Sequence, residues 1–276
     1  MVASQSTRLG AAERLAELYS YRELLWNLTL RDLRLKYKGS ALGVVWSLLN
    51  PLLMMAIYTI VFGFALRVGT STPGHPYWAL IIGGVLAWTF FANSLGQSVV
   101  AYVRNPSLIS KVYFPIETLP ISMVLANLVN FVIPLAILIV ALLVAHVPLG
   151  PSLILLPVLV LAQVALTVGL ALAVSALTVF FRDVEHLLGL GLQLGFYLTP
   201  VLYPLDPKVL GGAGRFIVLL KLNPLSWYLE SYHSILYYGT WPDPLFFALV
   251  LISAAIALVG GYAVFLRLRN RLPEEV

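Results

Sequence analysis

Uncharged apolar runs alternate along this chain with short polar islands, and the alternation defines its architecture. Stretches free of Asp, Glu, Lys and Arg cover residues 41–66, 68–103, 118–181, 187–205 and 244–266. A helix needs about 20 apolar residues to cross the hydrocarbon core of a bilayer. The longest run contains His146-Val-Pro-Leu-Gly-Pro151, a turn-forming stretch that divides it into two spans. Six spans are therefore predicted, at about 41–66, 77–101, 118–145, 152–181, 187–203 and 244–266. The fold class is all-α integral membrane, with a 1–40 segment before the spans and a 267–276 tail after them. Gly189, Gly191 and Gly195 crowd the short fifth span, and Ala165, Gly169 and Ala173 repeat on the fourth. Small residues at four-residue spacing allow close helix contact, within one subunit or between two.

Composition agrees with this pattern. Apolar residues make up 60% of the chain and charged residues 11%, against about 25% charged in soluble domains. The net charge of +5 marks a cytoplasmic face rather than a nucleic-acid surface, because its distribution is lopsided. Thirteen of the 17 Lys and Arg flank one side of the six-span arrangement, and only Arg67, Lys208, Arg215 and Lys221 fall on the other. The positive-inside rule places both termini in the cytoplasm. The first 40 residues hold no apolar core of the length a secretory signal requires. Cysteine is absent, which removes disulfides, thiolate metal sites and Cys nucleophiles.

Four segments are not spans. Residues 18–38 carry Leu18, Tyr21, Leu25 and Leu28 at helical spacing beside Arg22, Arg31, Arg34, Lys36 and Lys38, the pattern of an amphipathic helix lying along an anionic membrane surface. Residues 104–116, bounded by Pro106 and Pro115, form a short helix suited to meeting a cytoplasmic partner. Arg182, Asp183 and Glu185 sit where one helix ends and the next begins, matching both helix dipoles. With His186 they lack a recognised metal-ligand spacing, so no metal is assigned. Asp206-Pro207 and Asn223-Pro224 each place a capping residue before Pro, opening two apolar helices, 207–222 and 224–239, too short to cross. These are predicted to dip into the outer leaflet and return. Glu230, His233 and Tyr237 share one face of the second, and a water-facing surface is the expected reading.

No ionisable side chain falls inside a span, which argues against ion-coupled transport, and polar residues such as Asn127 and Gln163 serve as interhelical glue. Motifs for hydrolysis and for nucleotide phosphates are missing as well. What stands out is aromatic content, with 13 Phe, 14 Tyr and 6 Trp. Trp46, Tyr58, Phe62, Trp88, Phe90, Phe91 and Tyr197 could line a path along which a hydroxyl-rich chain slides, or belong to packing and interfacial belts.

Tyr37-Lys-Gly-Ser-Ala-Leu-Gly43, Trp46, Asn50-Pro51 and Tyr58-x-x-x-Phe62 resemble the opening of ABC-2-type export permeases. Phe181-Arg-Asp-Val184, Thr199-Pro-Val-Leu-Tyr-Pro204 and Asn223-Pro-Leu-Ser-Trp227 are similar to later motifs of the subgroup that exports polysaccharides or polyol phosphates. The resemblance implies a bacterial inner-membrane homodimer of permeases, bound to two copies of an ATPase that holds ATP and Mg, moving a lipid-linked glycan. It implies that Arg104, Asn105, Pro106, Lys111, Tyr113 and Phe114, with Arg182, Asp183 and Glu185, face the ATPase. Tyr203, Trp227, Tyr228, Glu230 and His233 would belong to an outer gate. Export of a lipid or drug is the alternative within this architecture. A membrane enzyme using Asp206, Glu230, His233 or Asp243, and a passive channel, are alternatives outside it.

Overall fold

The computed structural model of the protein describes residues 19–37, 76–106, 114–205 and 214–275, with positions 49, 53, 54, 56, 57, 60, 61 and 109. All regular structure among the described residues is helical. Helix α1 is Arg22–Tyr37, α2 is Tyr77–Ser98, α3 is Thr118–Val144, and α4 is Leu156–Phe180, entered through a 3-10 turn at Pro151–Leu155. Helix α5 is Asp183–Leu198, α6 is Gly214–Leu222, α7 is Pro224–Tyr232 continued by a π turn at His233–Tyr237, and α8 is Pro244–Leu268. A short 3-10 turn and helix α9, Leu272–Glu275, follow.

Four stretches are long and apolar enough to cross a membrane: Tyr77–Ser98, Thr118–Val144, Pro151–Phe180 and Pro244–Arg271. They coincide with the second, third, fourth and sixth predicted spans. The residues Trp46, Tyr58 and Phe62 of the first predicted span lie outside the described residues. Helix α5 has 16 residues, or about 24 Å at 1.5 Å per residue, which is short of a hydrocarbon core of about 30 Å.

Helix α2 forms the axis of the larger core. Ile81 and Ala87 are fully buried, and Trp88, Phe90 and Phe91 pack with Phe131, Leu138, Leu159, Tyr232 and Ile235 around it. Polar side chains inside this core are satisfied across helices, as a low-dielectric interior demands. Gln163 donates to the Ala87 carbonyl at 2.9 Å and accepts from the Tyr232 hydroxyl at 2.7 Å. Gln97 and Asn127 bond α2 to α3 at 3.1 Å.

Helices α4 and α8 touch backbone to backbone. A Cβ at Gly169 would fall on the Ala257 carbonyl, and one at Gly261 on the Gly169 carbonyl. The small-residue row predicted on the fourth span thus serves packing inside one subunit. The Gly191–Gly195 pair divides: nothing lies within 4 Å of a Cβ at Gly191, whereas one at Gly195 would sit 2.9 Å from the Trp88 ring.

Candidate functional site

Two ends of the bundle hold the residues singled out from the sequence. At one end, α6 and α7 form a hairpin joined at Asn223. The capping expected of Asn223 is present, its side chain accepting from the Leu225 amide at 3.1 Å. The same side chain donates to Thr199 Oγ1 at 2.9 Å and to the Leu198 carbonyl at 3.1 Å, tying the joint to the end of α5. From there α7 climbs along the bundle. The Tyr228 hydroxyl donates to the Val250 carbonyl of α8 at 2.9 Å, Tyr232 reaches Gln163, and His233 Nε2 would lie 3.2 Å from a Cβ placed on Gly84 of α2. Gly239 adopts φ +63, and a Cβ there would strike the Pro148 carbonyl, which closes the hairpin onto the turn between α3 and α4.

The joint lies deep along these helices. Asn223, Pro224 and Trp227 share a cavity of about 630 Å³ with Phe91, Leu166, Leu170 and Ile256. The α8 wall of this cavity runs from Leu249 to Ala257, five to thirteen residues beyond the start of α8 at Pro244, or about 8–20 Å at 1.5 Å per residue. Lys221, exposed in the last turn of α6, offers its carbonyl to the Trp227 indole at 2.7 Å.

Several expectations change here. The water-facing surface predicted for Glu230, His233 and Tyr237 is replaced by burial: His233 is 1% exposed and Tyr237 2%. Helix α7 packs against α2, α4 and α8 rather than presenting a free face, so its polar positions point into the bundle. An ionisable group therefore does sit among the spans, contrary to the reading from uncharged runs, and it arrives there on a neighbouring helix. Asp243 is occupied in capping α8, accepting from Leu245 and Phe246 amides at 2.8 and 3.2 Å. It is not brought together with His233 into a catalytic cluster, and Asp206 lies outside the described residues.

The aromatic residues separate into two environments. Trp88, Phe90 and Phe91 are buried at 7, 3 and 4% exposure, with Trp88 edge-on to Phe196 at 6.0 Å and Phe90 stacked on Phe131 at 5.2 Å. All three pack inside the larger core, and Phe91 also lines the cavity at Asn223. Tyr197 is 66% exposed, and its carbonyl accepts from the Tyr203 hydroxyl at 2.9 Å. The whole of α5 has no buried residue; Leu187, Leu190 and Leu194 are as open as Tyr197.

At the opposite end a second core gathers Leu28 of α1, Tyr102, Ile109, Phe114 and Ile116 of the segment between α2 and α3, Ala176 of α4, Phe265 of α8 and Leu272 of α9. The predicted partner-facing segment is thus anchored on one side. Ile109 and Phe114 are buried, while Arg104 and Pro106 are exposed and Asn105 Nδ2 donates to the Ala101 carbonyl at 2.8 Å. Lys111 and Tyr113 lie outside the described residues. Arg182, Asp183 and Glu185 are exposed just beyond Val179 and Phe180, which pack on this same core. Helix α1 docks through Leu28 and Thr29, and Asp32 accepts a hydrogen bond from Ser122 of α3 at 3.0 Å while pairing with Arg31.

Tyr102 was not evident from the sequence, where it reads as the frayed end of a span. It is fully buried, stacked on Phe265 at 6.4 Å, beside buried Glu117. Burial, and then the Glu117 carboxylate, hold its phenol well above the ordinary range, with Ser175 and Arg269 acting the other way. The signal that could have found this cluster is the isolated acid Glu117 between Pro115 and a long uncharged run.

Replacing Gln163 with Leu strands both the Tyr232 hydroxyl and a spare carbonyl, at a cost of about 1–3 kcal/mol for a buried polar group left unpaired. Thermal denaturation of the purified protein should register this as a lowered midpoint, and Gln163→Glu should be no better. An unchanged midpoint for Gln163→Leu would mean the three-helix link is dispensable.

Comparison with known proteins bears on both ends. A family described as ABC-2 type transporter matches residues 23–237. A Myxococcus xanthus protein described as O-antigen export system permease protein RfbA is 35% identical over 270 residues, covering 94% of this chain and 98% of that protein. Two Klebsiella pneumoniae proteins with the same description are 32% and 31% identical, each covered over 94% of its length.

Proposed function

This chain belongs to the ABC-2 type transporter family, and from that premise we propose that it is the permease subunit of an ATP-driven exporter of a lipid-linked polysaccharide. The observation that carries the reading is near-full-length identity to a protein described as an O-antigen export permease. It is an integral membrane protein and a transport subunit; ATP and Mg are assigned to a separate ATPase, and the chain itself contributes a path and a means of opening it.

The finer reading has six spans, with both termini in the cytoplasm of a bacterial inner membrane. The exposed face of α5, including Leu187, Leu190, Leu194 and Tyr197, meets the first span and a second copy of the chain around a central path. Leu188, Leu192 and Phe196 of this 16-residue helix pack on the larger core while its other face is open, and in a working assembly apolar surface of this extent is covered by protein or faces a passage. The α6–α7 hairpin is an outer gate that re-enters the membrane, with Tyr203, Trp227, Tyr228, Glu230 and His233 as its framework. Backbone at that depth must find partners within protein, and Asn223, bonded to the Leu198 carbonyl and the Leu225 amide, and Trp227, bonded to the Lys221 carbonyl, supply them. Arg104, Asn105, Pro106, Lys111, Tyr113 and Phe114, with Arg182, Asp183 and Glu185, form the surface that receives the ATPase.

Reconstitution tests this. Vesicles containing the chain and a co-purifying ATPase should accumulate lipid-linked glycan in the distal leaflet only when ATP is supplied. Movement of the glycan at the same rate without the ATPase would refute an ATP-driven permease and favour a passive channel.

A further inference from the structure

We propose that Lys221 is a binding site for the phosphate that joins a lipid to its sugar chain, placed part-way along the path. The inference rests on the glycan-exporter reading and adds a ligand chemistry to it.

The charge pattern assigns Lys221 to the outer side, with nothing to distinguish it from Arg215 or Lys208. The fold places it differently. Lys221 lies two residues before Asn223, whose side chain is held at the end of α5 by bonds to Thr199 and Leu198. Its own carbonyl is bound by Trp227, which lines the cavity shared with Ile256. The α8 wall of that cavity runs from Leu249 to Ala257, about 8–20 Å along the helix from its outer end at Pro244. A lysine stem of four carbons reaches about 6 Å, less than the distance from this cavity wall to the outer end of α8.

Its side chain is nevertheless exposed, and among the described residues no salt bridge reaches it. A cation at such depth is tolerated where it meets water or an anion rather than lipid. Tyr197, at the exposed end of α5, is two residues from the Thr199 that holds the hairpin joint, so the backbone at Lys221 lies near the exposed end of α5.

A compact ammonium with three rotatable donors suits a phosphate passing by, since it attracts the charge without demanding one orientation. A plain structural role is also available, because Lys221 sits at the C-terminal end of α6, where a cation favours the helix dipole. That role would appear in stability and would show no preference among lipids.

The test uses the full-length protein in phosphatidylcholine nanodiscs doped with a long-chain polyprenyl phosphate, with the uncharged polyprenol and phosphatidylglycerol as parallel probes. Wild type and Lys221→Arg should bind the polyprenyl phosphate, and Lys221→Gln should bind it at least about tenfold more weakly. Polyprenol should bind equally weakly to all three, and thermal midpoints should match. Equal affinity of Lys221→Gln and wild type for polyprenyl phosphate would overturn the site, as would equal affinity of wild type for phosphatidylglycerol. Glycan transport in ATPase-containing vesicles separates the two levels. A wild type that transports alongside an equally active Lys221→Gln removes only the phosphate site, whereas a wild type that never transports removes the exporter reading.

Discussion

Gly261→Val should leave no correctly assembled protein in the membrane. At this position the α4 and α8 backbones are in direct contact, and any side chain on Gly261 would occupy the Gly169 carbonyl. Ordinary overpacking costs about 1–3 kcal/mol because neighbouring side chains can turn aside. A carbonyl inside a helix cannot, so the two helices must separate. Separation would strip contacts from Leu166, Val250 and Ala254, all buried in the larger core, and would withdraw the Tyr228 hydroxyl from the Val250 carbonyl. Gly260→Ala is the internal control, since nothing lies within 4 Å of a Cβ there. Membrane-fraction immunoblots and size-exclusion profiles should show loss for Gly261→Val and wild-type behaviour for Gly260→Ala. Equal behaviour would mean that the α4–α8 contact is looser than described.

The second large effect concerns the segment between α2 and α3. Replacing all of 106–114 by a flexible linker would confuse two roles, because Ile109 and Phe114 are core residues. The informative variant keeps Ile109 and Phe114 and changes the remaining positions to Gly and Ser. The second core then retains its anchors, while the surface offered to the ATPase loses its shape. Export should fall at least about tenfold, the scale of coupling energies between linked sites, with the permease still extracted as an intact assembly. Measuring ATP hydrolysis beside glycan export distinguishes lost coupling from lost assembly. Export at the wild-type rate would show that work enters the membrane domain elsewhere.

Four of the six predicted spans return as helices long and apolar enough to cross, legible because burial in a bilayer selects against charge at every position of such a run. The Asn223 cap was legible for a similar reason, since Asn followed by Pro acts within one turn. What the sequence could not disclose was which helices meet. Gly191 and Gly195 carry a recognised contact spacing, yet within one subunit Gly195 meets the Trp88 ring and Gly191 meets nothing, whereas Gly261, a residue the spacing rules pass over, meets Gly169. That choice depends on the tilt of α4 against α8, set by many side chains at once. Burial of His233 was hidden likewise, because a mixed polar and aromatic face looks the same whether it meets water or Gly84. The bond from Asn223 to Thr199 joins positions 24 apart, a separation that local pattern does not report.

The contact between Gly239 and the Pro148–Gly150 turn has a mechanical consequence. It pins the far end of the arm from Pro224 to Tyr237, about 21 Å long, so any swing of that arm would turn about this seam and would also have to break the Tyr228–Val250 and Tyr232–Gln163 bonds. A turn of about 10° would carry Asn223 through an arc of about 4 Å at this arm length. The bond from Asn223 to Thr199 would then break early in the stroke, like a latch released before a hinged shutter moves.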